Sequence, residues 1–107
     1  MEKYLRIEMP DGSKWDVPAN IIADNRAKYY ADKESTSKNP YDKIYKEEFE
    51  ITMEKGDDNY YELKDWASNN MDWKYVSDKA IKVGTPNEKD VDYQEGWMNG
   101  EKEVVER

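Results

Sequence analysis

The sequence predicts an α+β domain in which an N-terminal β-hairpin and a later strand form a small antiparallel sheet, with about three helices packed on one face. Three observations predict it. Apolar and polar residues alternate with period two on both sides of a Pro-Asp-Gly-Ser turn, three apolar stripes of helical spacing follow between residues 18 and 71, and a short alternating run recurs at residues 80–83.

In the hairpin, Leu5, Ile7 and Met9 share one face, and Tyr4, Arg6 and Glu8 the other. Beyond Pro10-Asp11-Gly12-Ser13, Trp15 and Val17 alternate with Lys14 and Asp16. Proline presets φ and glycine supplies the positive φ of such a turn. Pro18 suits the first turn of a helix, and Ala19, Ile22, Ala23, Arg26, Tyr29 and Tyr30 form the stripe that predicts this helix over residues 18–33. Arg26 reads as an edge residue whose guanidinium reaches an acid. Lys33 to Lys38 carries no apolar side chain and reads as an exposed loop.

Asn39-Pro40-Tyr41-Asp42 writes a second helix start, with Asn39 as N-cap and Pro40 at the first helical position. Tyr41, Ile44, Tyr45, Phe49 and Met53 make its inward stripe. Gly56 is the expected left-handed C-cap, and Asp57 or Asp58 the cap of a third helix bearing Leu63, Trp66, Ala67 and Met71. Asp72 to Val76 reads as a capped single turn, and Ala80 to Val83 as a strand returning to the hairpin. Past Thr85 two readings stay open. Asn99-Gly100 suits a hairpin turn between Trp97-Met98 and Val104-Val105, whereas Asp92 to Glu95 suits the start of a short helix. The chain reads as one domain over 1–107, in which residues 85–107 either join the fold or form a loosely ordered C-terminal extension.

The 107 residues include 25 acids and 17 basic side chains, a formal charge of −8, with no Cys and no His. That composition excludes disulfides, thiolate nucleophiles, cysteine or histidine metal sites and imidazole bases. Leu, Ile, Val and Phe make up only about 14% of the chain, within the compositional range of disorder. Four Trp and nine Tyr offset this deficit, because each large aromatic buries roughly 150–250 Å². An aromatic-rich core follows, with Trp15, Trp66 and Trp73 assigned to it. The N-terminus lacks an apolar leader, no run approaches a membrane span, and no Asn-x-Ser/Thr sequon occurs, so a cytoplasmic location is expected. The charge disfavours direct binding to nucleic acid or anionic membrane and favours a protein partner with a basic surface.

No glycine-rich phosphate loop is present, and Gly56-Asp57-Asp58-Asn59 lacks the ligand order of a calcium loop. Paired carboxylates need a cleft before they catalyse anything, so no catalytic, cofactor-binding or metal-ligating residue is nominated and no enzyme is expected. The densest electrostatic feature runs from Glu47 to Asp65, where eight acids face two lysines. Glu47, Glu50 and Glu54 are spaced i, i+3 and i+7 on one helical face, and Asp57 and Asp58 extend it. Such a row suits the basic groove of a nucleic-acid-binding protein. It also suits an ordinary solvated face in which Lys43–Glu47 and Lys46–Glu50 pair. A second acidic stretch, Glu88 to Glu106, holds seven acids and two lysines. Tyr93 and Trp97 are the candidate aromatic contact with a partner or a second copy, and on them rests the alternative of a structural or assembly protein forming a homo-oligomer.

In composition over the whole chain, and in the short hairpin Tyr4 to Val17, the protein resembles the small, acidic, Trp- and Tyr-rich proteins without Cys that bacteriophages and prophages encode as accessory or host-takeover factors. That resemblance implies binding to a host or phage protein, at times as a DNA mimic that inhibits a DNA-handling machine. It assigns no residue.

Overall fold

The computed structural model describes residues 2–84 and 92–107. The chain runs β1 (Lys3–Glu8), β2 (Lys14–Pro18), α1 (Ala19–Glu34), α2 (Tyr41–Met53), α3 (Tyr61–Asn70), α4 (Trp73–Val76), β3 (Ile81–Lys82), α5 (Tyr93–Asn99) and β4 (Lys102–Glu106). The four strands form an antiparallel sheet in the order β3-β2-β1-β4, so the expected α+β class and the hairpin are both present. Residues 85–91 of the proposed C-terminal extension lie outside the described residues. Residues 93–106 contribute α5 and β4.

Sheet register explains which face is covered. Leu5 sits opposite Val17 on one side and Val104 on the other, and Ile7 opposite Trp15, so the period-two set of the hairpin lies on one face. Leu5, Ile7 and Val17 are fully buried there with Ile22 of α1, Leu63 and Ala67 of α3, Val76 and Trp97. On the opposite parity, Asp16 is also fully buried. Arg6 grips it through two hydrogen bonds of 2.7 and 3.0 Å, and Arg107 approaches to 3.2 Å. Two partly exposed guanidiniums thus cover the carboxylate that the alternation put on the polar face.

Helix α1 buries Ala19, Ile22, Ala23, Arg26, Ala27 and Ala31. The stripe therefore differs from the expected one: Tyr29 is exposed and Tyr30 half-buried, while alanines at every fourth position are covered. Small residues at that spacing let α2 lie close along α1, with Ile44 and Thr52 as its buried residues. Tyr41 is exposed, and Tyr45, Phe49 and Met53 are half-buried. The Tyr45 hydroxyl donates to Asp24, and that bond pushes its pKa up to about 12.

Local caps differ from expectation, beginning with α2, whose C-cap is the extended Glu54, so that Gly56 takes its positive φ two residues beyond the cap. Pro40, not Asn39, occupies the N-cap position of α2, because Asn39 closes a turn with Thr36 through bonds of 2.9 and 3.0 Å. Neither Asp57 nor Asp58 caps α3: Gly56, Asn59 and Tyr60 all take positive φ, and Tyr60 precedes the helix with its N–H on the Lys55 carbonyl. Asp72 occupies the N-cap of α4 without a capping bond of its own, and the Gln94 side chain serves instead, accepting from the Trp73 amide at 2.7 Å.

The C-terminal region is the helical alternative. Asp92 accepts the Glu95 amide and starts α5, which turns Trp97 into the core, so Trp97-Met98 is not a hairpin strand. A side chain at Gly96 would meet Pro10 Cδ at 2.6 Å and Met9 Sδ at 2.7 Å. That close approach seats α5 on the β1–β2 turn. Of the tryptophans assigned to the core, Trp66 is buried there, Trp15 and Trp73 are half-buried against it and meet edge to face at 5.5 Å, and Trp97, read as a partner contact, is the fully buried one. Among the described residues, no helix is long and apolar enough to cross a membrane.

Candidate functional site

Because α2 packs through Ile44 and Thr52, its other side is left to solvent, and Glu47 and Glu50 lie there. Glu54 follows at the helix end, and Asp57 and Asp58 stand in the turn; all five carboxylates are exposed. Among the described residues none of the five has a cation within 4 Å, so the lysine pairs Lys43–Glu47 and Lys46–Glu50 are not formed. The α-helical rise puts Glu50 about 4.5 Å beyond Glu47 along the axis and Glu54 about 6 Å further. Phosphates of one nucleic-acid strand rise about 3.4 Å each, a comparable pitch. Ile51, 46% exposed, sits within this row. Charged rim and apolar centre are the usual anatomy of a protein interface.

Two contacts fix this face. Lys3 of β1 donates from Nζ to the Met53 carbonyl at 3.0 Å and lies 5.0 Å over the Tyr60 ring, tying the end of α2 to the sheet. Arg26 of α1 reaches Thr52 Oγ1 at 3.0 Å, Glu48 at 3.8 Å and Glu62 of α3 at 3.2 Å. The expected acid partner is thus two acids, and Arg26 is buried rather than at the edge. It is the joint of three helices.

The aromatic pair of the sequence reading is placed differently. Trp97 has no exposed surface, and its Nε1 donates to the Met71 carbonyl at 3.0 Å. Tyr93 is half-buried, and its hydroxyl donates to Asp11, which also accepts from the Ser13 amide and hydroxyl. Burial alone would raise the Asp11 carboxyl, but the bonds from Ser13 and Tyr93 hold it below its usual value. Trp97 therefore offers nothing to a partner, and Tyr93 spends its hydroxyl inside the fold. The helix that replaced the hairpin is the reason.

The sequence reading missed one arrangement. Tyr29 and Tyr30 of α1 meet Trp66 of α3 at centroid distances of 5.3 and 5.9 Å, beside a cleft of about 610 Å³ that Arg26, Glu62 and Asp65 also line. Doubled tyrosines were the available signal, but nothing local joins them to a tryptophan 36 positions on. A second cavity of about 440 Å³ lies where α5 meets the hairpin turn, with Glu8, Glu95 and Glu101 on its wall. Lys102 borders another, of about 300 Å³; burial lowers its pKa to about 8, and its Nζ donates to the Met98 and Gly100 carbonyls. No group of His, Cys, Asp or Glu suited to hold a metal ion occurs among the described residues. No protein-family model, curated protein or solved structure matches the chain.

Proposed function

We propose that the protein is a non-catalytic acidic binding module, which docks through Glu47, Glu50, Glu54, Asp57 and Asp58 on a basic protein surface of the kind built to hold nucleic acid. One observation carries this reading: the five carboxylates are exposed in a row and its following turn, and no cation of the described residues pairs with them. Unpaired charge of one sign steers a partner of the other sign and raises its rate of association. The net charge of −8 works in the same direction over longer range. Such a role is the one that accessory proteins of phages and prophages play against host proteins. The charge density sets a limit on mimicry. A duplex carries one charge per about 1.7 Å, far more than this row, so the contact copies a short stretch of one strand rather than a whole helix.

The test is a tagged pull-down from bacterial lysate eluted over a salt gradient, run beside the variant Glu50→Lys/Glu54→Lys. Both positions are exposed, so the variant folds. A partner released by moderate salt from the native protein, and bound at least tenfold more weakly by the variant, is the expected result. Unchanged affinity together with an unchanged salt dependence ends the reading.

A further inference from the structure

The cleft between α1 and α3 has the volume and lining of a ligand site: about 610 Å³, aromatic on one wall, with a few polar groups converging on it. Its wall is built rather than incidental. Tyr29, Tyr30 and Trp66 touch one another at 5.2, 5.3 and 5.9 Å between centroids, and the Trp66 Nε1–H is held by Asn25 Oδ1 at 2.8 Å. Tyr29 nevertheless stays 48% exposed. The rings already take cations from their own chain: the Arg26 guanidinium lies 4.8 Å over Tyr30, and Lys33 Nζ lies 5.7 Å over Tyr29.

Charge decides which ligand fits. Arg26 is offset twice, by Glu62 and Glu48. Asp65 has no cation within 4 Å among the described residues and accepts only from its neighbour Asn69, at 2.9 Å. Glu62, three residues before it on α3, keeps 44% of its side chain exposed. An anion entering here meets two carboxylates, whereas a cation meets two carboxylates and the Tyr29 ring, from which it displaces Lys33 Nζ, held 5.7 Å away with no carboxylate within 4 Å among the described residues. A guanidinium matches both at once, since it stacks on an aromatic face and forks onto a carboxylate; an ammonium is more strongly hydrated and does neither as well.

We propose that this cleft receives an arginine side chain of the protein partner, stacked on Tyr29 and paired with Asp65 and Glu62. The inference rests on the binding role proposed above and names the residue type that the partner inserts. The experiment is an NMR titration of the intact protein with the peptide acetyl-Ala-Arg-Ala-amide. Its citrulline analogue, which keeps the shape and loses the charge, is the control. Saturable shifts of the Trp66 indole N–H and of the Asp65 amide are expected, with citrulline at least tenfold weaker. Tyr29→Ala and Asp65→Asn should each weaken binding at least fivefold, and Met98→Ala, at an exposed side chain outside the cleft, should leave it unchanged. Equal response to citrulline, shifts confined to α2, or wild-type titration of both cleft variants overturns the proposal. If the peptide fails while the Glu50/Glu54 reversal still abolishes capture, docking through α2 stands without the cleft. If the peptide binds while that reversal changes nothing, the cleft stands and the α2 face falls.

Discussion

Replacing Trp97 by alanine should remove a large share of the domain's stability. Trp97 is 0% exposed, lies against Trp73 at 5.9 Å and donates to the Met71 carbonyl. A buried Trp removes roughly 150–250 Å² from water, worth about 4–6 kcal/mol at about 25 cal/mol per Å². The unfolded chain already hides part of that surface, which reduces the figure, while the Met71 carbonyl left without its donor adds about 1 kcal/mol. The net expectation is a loss of about 4 kcal/mol, within the range of about 3–5 for Trp→Ala in cores. Set against a total near 5–15 kcal/mol for a chain of this size, that is roughly a quarter to four fifths of the reserve. Urea titration followed by far-UV circular dichroism reads it, with Trp97→Phe expected to lose only about 1–2 kcal/mol, because most of the ring volume remains. Tyr75→Ala serves as the contrast, since that ring is 53% exposed and its loss should stay near 0.5 kcal/mol. A Trp97→Ala loss below about 1 kcal/mol at unchanged slope would refute the burial argument and restore Trp97 as a surface contact.

Two further outcomes concern titrating groups. Lys102 has a folded pKa of about 8 against an ordinary 10.5, so between these values the unfolded chain holds a proton that the folded chain has released, and stability rises with pH. The neutral amine keeps N–H donors for Met98 and Gly100. The urea midpoint should climb from pH 8 to 10 in the native protein and stay level in Lys102→Met; a flat native profile would count against the burial of Lys102. Tyr93→Phe removes a donor from ionised Asp11 and should cost about 1.5–3 kcal/mol at pH 7. Since the Asp11 carboxyl is held below its usual value, that cost is present above the ordinary carboxylate pKa and disappears as pH falls through the folded one. The gap in thermal unfolding between the two proteins should therefore narrow steadily as pH is lowered from 7 through and below the ordinary carboxylate range, and a gap that does not narrow would reject the Asp11–Tyr93 bond as its source.

What was legible in the sequence was local. Alternation around Pro10 to Ser13 placed the hairpin and its inward face, and the spacing of Glu47, Glu50 and Glu54 placed three carboxylates on a solvated helix side. Sequence reading faltered where distant residues decide. Asn99-Gly100 carries a genuine turn signal, but Gly96 allows α5 to press against Met9 and Pro10, some 86 positions away, and the helix prevails. In α1 the large tyrosines outweighed alanine in the pattern, although Ala27 and Ala31 are fully buried and Tyr29 is exposed. The burial of Asp16 has no signal in the alternation, because its two arginines come from another strand and from residue 107. The cleft joins α1 to α3 and has no local signature at all.

The position of β1 in the sheet has a kinetic consequence. One of its neighbours, β2, is a few residues away, whereas the other, β4, lies about a hundred residues further along the chain. Closing that long loop costs roughly 2 kcal/mol more chain entropy than closing the hairpin. The hairpin therefore forms early, and β1 carries an open backbone edge until residues 102–106 arrive to pair with it. During synthesis on the ribosome this interval is the time needed to translate nearly the whole chain, and in it the edge is free to pair with another nascent copy. The order of the strands therefore predicts a slow last step in refolding, preceded by losses to aggregation that grow with concentration, which refolding yields over a concentration series would read.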